Sequence, residues 1–74
     1  MKTYLTLWFN SEGSKPSQVV RQMEKFGFKS LRGNYDFEYD WGSRKASVDD
    51  VLIMNDRLQA TLKKGNVLFK SETL

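Results

Sequence analysis

Seventy-four residues without a cysteine or a histidine make one domain that has no disulfide, no thiolate chemistry and no Ser-His or Cys-His catalytic pair. With 39% hydrophobic and 28% charged residues the chain is not a disordered one, and a net charge of +3 is too small to demand a polyanionic partner. No apolar run approaches the roughly 18 residues of a membrane span and the start lacks a secretory pattern, so a cytoplasmic protein with no membrane partner is expected.

Residues 2–9 alternate: Leu5, Leu7 and Phe9 point one way, Tyr4, Thr6 and Trp8 the other. Apolar atoms on both faces predict a central strand. After a loop at 10–15, Ser14 is placed to cap a helix whose first turn accepts Pro16. Pro16, Val19, Met23 and Phe26 form its apolar stripe, with Val20 at the edge; Arg21, Glu24 and Lys25 face away, and Gly27 is the left-handed terminator.

Residues 28–32 and 35–41 predict two strands joined by a two-residue turn at Gly33-Asn34, where positive φ is needed. In the second, Tyr35, Phe37, Tyr39 and Trp41 share one face, and Asp36, Glu38 and Asp40 the other. Such a turn sets the register: Arg32 opposes Tyr35, Leu31 opposes Asp36, Ser30 opposes Phe37, Lys29 opposes Glu38 and Phe28 opposes Tyr39. Phe28 then joins the aromatic face, and Lys29 sits beside a carboxylate.

A loop at 42–46 carries Arg44 and Lys45. Ser47 and Asp50 have capping-box spacing, and Asp49 and Asp50 suit the positive end of a helix dipole. That helix runs to about residue 64 with a stripe of Val48, Val51, Met54, Leu58 and Leu62, and Gly65 ends it. Asn55 falls in the stripe and should hydrogen-bond to the backbone; Ile53 falls on the solvent side. Residues 66–72 are the last strand, with Val67 and Phe69 on one face and Leu68 and Lys70 on the other.

Two amphipathic helices must cover one sheet face, and right-handed crossovers then give an α+β, two-layer βαββαβ plait of the ferredoxin-like kind. Its antiparallel strand order is 4-1-3-2, both helices lie on one face, and residues 1–74 form a single domain. The covered face should hold Leu5, Leu7, Phe9, Phe28, Tyr35, Phe37, Tyr39, Val67 and Phe69. The open face should carry Tyr4, Thr6 and Trp8 beside Asp36, Glu38 and Asp40, with Lys29, Leu31, Leu68 and Lys70 flanking.

Function is less legible, and three readings follow in order. The first is a protein-interaction module that joins itself or another protein through Tyr4, Trp8, Leu31 and Leu68 on the uncovered sheet, or through an edge strand. The second is RNA binding through Lys15, Arg32, Lys63 and Lys64, which the topology sends to one pole; Arg44, Lys45 and Lys2 go to the other. Open-face aromatics invite comparison with base-stacking plaits, but neighbouring carboxylates would repel phosphate. The third is a metal-assisted enzyme using Asp36, Glu38 and Asp40. Alternate residues on a strand lie about 6.5–7 Å apart, too far to share one small ion unaided. A solvated acidic face paired to lysines is the simpler reading, so no catalytic residue, metal ligand or cofactor is assigned.

The stretch Phe9-Asn10-Ser11-Glu12-Gly13 ahead of a helix resembles the loop of ACT regulatory domains, although the aspartate and proline usual there are not in their places. That resemblance implies the same fold and amino-acid binding at a subunit interface. As a whole the chain resembles small uncharacterised βαββαβ proteins of archaea, which implies the fold and no activity.

Overall fold

The computed structural model describes residues 1–43 and 45–74. The elements follow the predicted order: β1 (Lys2–Trp8), α1 (Pro16–Lys25), β2 (Lys29–Ser30), β3 (Phe37–Asp40), α2 (Val48–Lys64) and β4 (Leu68–Thr73). One antiparallel sheet has the order β2-β3-β1-β4. Leu5, Leu7, Phe28, Phe37 and Val67 close on Val19 and Met23 of α1 and on Leu58 and Leu62 of α2 in a single buried cluster. Both helices therefore cover one face, and the chain has the ferredoxin-like plait. Each such side chain contributes about 1.5–3 kcal/mol on burial, which matters in a domain with so few. Among the described residues no helix is long and apolar enough to cross a membrane.

Local chemistry sets the helix ends. Ser47 Oγ accepts from Asp50 N at 3.1 Å while Asp50 Oδ2 accepts from Ser47 N at 3.1 Å, the reciprocal box that the spacing predicts. Gly27 takes φ 96°, and the N–H of Phe28 reaches Met23 O, so the turn that ends α1 brings Phe28 down onto Met23. At the end of α2 the left-handed residue is Asn66 (φ 54°) rather than Gly65. Gly65 serves close approach instead: Ser14 N donates to its carbonyl at 3.0 Å, and a Cβ on Gly65 would stand 2.5 Å from Ser14 Oγ. That backbone bond holds Ser14 one residue ahead of the N-cap, so Ser14 does not cap α1, whose N-cap is Lys15 without a side-chain bond.

Thr3 is the one buried polar side chain of the sheet among the described residues. Its hydroxyl accepts from Trp41 Nε1 at 2.8 Å and shares a 2.8 Å bond with Thr73, so its burial is compensated. Asn55 bonds to a side chain rather than the backbone: Ser71 Oγ donates to its Oδ1 at 2.8 Å.

The hairpin keeps its predicted register, Lys29↔Glu38 and Ser30↔Phe37, but not its turn. Leu31 N still donates to Asp36 O at 2.8 Å, which leaves four loop residues, 32–35, instead of two. Gly33 has positive φ and Asn34 does not, so a two-residue primed turn cannot form. The ladder strands are correspondingly shorter than 28–32 and 35–41.

The cause lies in β3. Phe37 is the ladder partner of Leu5, yet Asp36 N also donates to Leu5 O at 2.8 Å. Two residues of one strand facing one of the other is a β-bulge, and it reverses the alternation before it. Tyr35 consequently leaves the covered face for the open one. Three further core assignments are corrected. Pro16, in the first turn of α1, is exposed. Phe9 lies past the end of β1 and is 45% exposed, and Val48 lies in the first turn of α2, beyond the sheet's cover, and is 76% exposed.

Gly13 makes the tightest approach: a Cβ there would collide with the carbonyl oxygen of Gly65. Gly13→Ala is expected to cost about 1–3 kcal/mol by overpacking, lowering Tm by about 4–8 °C per kcal/mol. Ser11→Ala, in the same exposed loop, should leave Tm unchanged. Thermal circular dichroism of both variants decides; equal melting would refute the contact.

Candidate interaction surface

The open face is built from the even residues of β1. Lys2, Tyr4 and Thr6 are half-buried, and Trp8 is exposed. The bulge delivers Tyr35 onto Tyr4, ring on ring, with centroids 4.8 Å apart and planes at 27°. Tyr35 Oη donates to Glu72 Oε2 at 2.7 Å, and Lys70 Nζ lies 2.9 Å from Glu72 Oε1. Tyr4 and Glu72 are ladder partners, so four side chains from three segments lock one another across the sheet. The hydrogen bond from Tyr35, and then Lys70, holds the Glu72 carboxyl below the ordinary glutamate range. The same bond and the carboxylate charge push Tyr35 up, and the bond to Glu72 pushes Lys70 up.

The three carboxylates of the predicted acidic row each have a separate task. Asp36 Oδ2 accepts from Leu7 N at 2.8 Å, taking the place of a ladder carbonyl at the bulge. Glu38 pairs with Lys2 at 3.5 Å, and Asp40 Oδ1 accepts from Gly42 N at 2.7 Å. Among the described residues no three acidic side chains are grouped to hold a metal ion.

Of the predicted contact residues Tyr4, Trp8, Leu31 and Leu68, the fold brings two together. Trp8 and Leu68 are ladder partners, 52% and 72% exposed, at one corner of the open face. Tyr4 is half-covered by Tyr35, and Leu31 is half-buried on the far side of β3 and β1. Beside Leu68 a groove of about 400 Å³ opens between β4 and α2, lined by Asn10, Gln59, Lys63 and residues 66–69. Sequence reasoning missed Tyr35 and Glu72. The Lys70-x-Glu72 spacing, which puts opposite charges on one strand face, was an available signal for the latter.

Lys15, Arg32, Lys63 and Lys64 are exposed. The Ser14–Gly65 bond draws Lys15 toward the end of α2 that carries Lys63 and Lys64; Arg32 shares that pole through the β2–β3 loop. At the other pole Lys2 is turned to Glu38, and the expectation for Arg44 lies outside the described residues. Ile53 is exposed on α2.

No family model, curated protein or solved structure matches this chain.

The lock on Glu72 predicts a pH dependence. A carboxyl depressed in the fold adds stability above its unfolded value, about pH 4, and loses it as pH falls through the folded value. Tyr35 and Lys70, both raised, add stability at neutral pH that is lost as pH climbs through their folded values. Tyr35→Phe should return the Glu72 titration part of the way to the ordinary range, leaving the share due to Lys70. Carboxyl-carbon NMR reads it; an unmoved titration would deny the Tyr35 bond.

Proposed function

We propose that this chain is a protein-interaction module that docks a polypeptide at the Trp8–Leu68 corner and along β4. The observation that carries this reading is the exposed Trp8–Leu68 pair at the start of a six-residue edge strand. A tryptophan beside a leucine on an uncovered sheet is an anchor of the kind found at protein contacts. A free strand edge supplies backbone bonds to an added strand, and side-chain pockets supply selectivity. The Tyr4–Tyr35–Glu72–Lys70 lock keeps the platform rigid next to the anchor.

A second reading keeps the basic pole. Its support is the Ser14–Gly65 contact, which gathers Lys15, Lys63 and Lys64 without an ion pair to any of them among the described residues. RNA binding there would weaken steeply with salt.

Peptide display against the intact chain, counter-selected on the Trp8→Glu, Leu68→Glu variant, separates the two. Selected peptides should shift the amides of Trp8, Leu68 and β4 and lose binding by at least tenfold on that variant. If no peptide survives counter-selection, while RNA shifts the amides of Lys15, Lys63 and Lys64 in a salt-dependent way, the interaction reading gives way to the second.

A further inference from the structure

We propose that two copies of this chain join edge to edge through antiparallel β4 strands, around a two-fold axis at Ser71. This rests on the interaction reading above and commits its partner to a second copy.

The argument begins with which backbone groups are free. Lys2 and Leu74 exchange both backbone bonds, at 3.0 and 2.9 Å. In an antiparallel ladder such reciprocal pairs recur at every second residue. The unbroken register Tyr4↔Glu72, Thr6↔Lys70, Trp8↔Leu68 therefore turns the N–H and C=O of those β4 residues toward β1. Those of Phe69, Ser71 and Thr73 point off the sheet, where none is bonded among the described residues. The two sheet edges differ sharply. β2 is two residues long, includes Lys29 and is followed closely by Arg32, a blunted edge. β4 runs for six residues with no proline and an unbroken ladder to β1, and Lys70 is its only basic residue.

Charge then selects the register. A two-fold axis normal to the sheet places residues of equal parity opposite each other, on the same face. An axis at Lys70 sets Lys70 against Lys70 of the second copy, and an axis at Glu72 sets carboxylate against carboxylate. An axis at Ser71 instead sets Lys70 against Glu72 of the second copy, twice, and Leu68 against Leu74. It also sets Phe69 against Thr73, with the free N–H and C=O groups of residues 69, 71 and 73 in mutual reach.

The helix layer fits the same register. Val48 and Leu52, 76% and 53% exposed, lie with Met1 and Thr73 around a hollow of about 210 Å³. The groove of about 400 Å³ lies at the other end of the strand, around Phe69, Gln59 and Lys63. Opposing Phe69 to Thr73 brings the exposed Val48 and Leu52 of each copy to the groove of the other. The Asn55–Ser71 bond puts the middle of α2 over the axis, so the two α2 helices meet antiparallel there.

Sedimentation of the full chain from low micromolar to millimolar concentration tests this, with a charge swap. The wild type should double in mass. Lys70→Glu alone and Glu72→Lys alone should each weaken the dimer about tenfold or more, since both cross-strand pairs become like-charged. An equimolar mixture of the two variants should regain it as a heterodimer, because each then faces its opposite. Circular dichroism confirms that each variant folds. Ser71→Cys offers an independent reading in this cysteine-free chain. Opposed residues there lie about 5.5 Å apart at Cα, within disulfide range, so mild oxidation should link it into dimers. A wild type that stays monomeric throughout overturns the proposal, as does a dimer indifferent to both swaps. A monomer whose β4 still captures display peptides would remove the second copy while leaving the interaction reading in place.

Discussion

The alternation of β1 is the constraint on which the structure rests. Its odd residues Thr3, Leu5 and Leu7 are buried beneath the helices, while its even residues Lys2, Tyr4, Thr6 and Trp8 form the spine of the uncovered face. Because β1 pairs with β3 on one side and β4 on the other, its parity is imposed on both neighbours. The core, the tyrosine stack, the Trp8–Leu68 corner and the free groups of β4 are consequences of that single choice. A one-residue slip would exchange the contents of the two faces.

Only the bulge at Asp36 breaks the pattern, and it has chemical compensation. The extra residue interrupts the ladder beside Leu7, and its own carboxylate accepts the N–H of Leu7. The reversal that follows turns Tyr35 outward, where its ring covers Tyr4 and its hydroxyl finds Glu72. One irregular residue thereby makes the Asp36 carboxylate a ladder substitute and ties β4 to the β2–β3 loop across the sheet, while Glu38 and Asp40, beyond the bulge, keep their places as the partner of Lys2 and a turn acceptor.

Much of this was legible in the sequence. The element order, the strand order, the Ser47–Asp50 box and the pairing of Lys29 with Glu38 all follow from periodicity and from residues with narrow conformational preferences. The bulge was not, because Tyr35 to Trp41 alternates without a flaw and a single inserted residue leaves no periodic trace. Tyr35 was ambiguous by nature: its ring suits a core and its hydroxyl suits a surface. The end of α2 at Gly65 was legible, and Gly65 is its C-cap, but the task that this glycine performs there was not. A glycine can serve positive φ or close approach, and only packing shows that Gly65 serves the second while Asn66 serves the first. At the candidate surface, parity sufficed for Trp8 and Leu68. Tyr4 and Leu31 needed knowledge of what lies over Tyr4 and of the strands between Leu31 and the corner.

The two edges of the sheet are unequal, and that inequality gives the molecule a direction in which to bind. The β2 edge is short and basic, whereas β4 offers backbone groups, an anchor at one end and a groove beside it. Amide hydrogen exchange along β4 in dilute solution tests the underlying parity most directly. The account predicts protection at Lys70, Glu72 and Leu74, whose N–H groups turn to β1, and rapid exchange at Phe69, Ser71 and Thr73. Protection at the odd residues with rapid exchange at the even ones would contradict it.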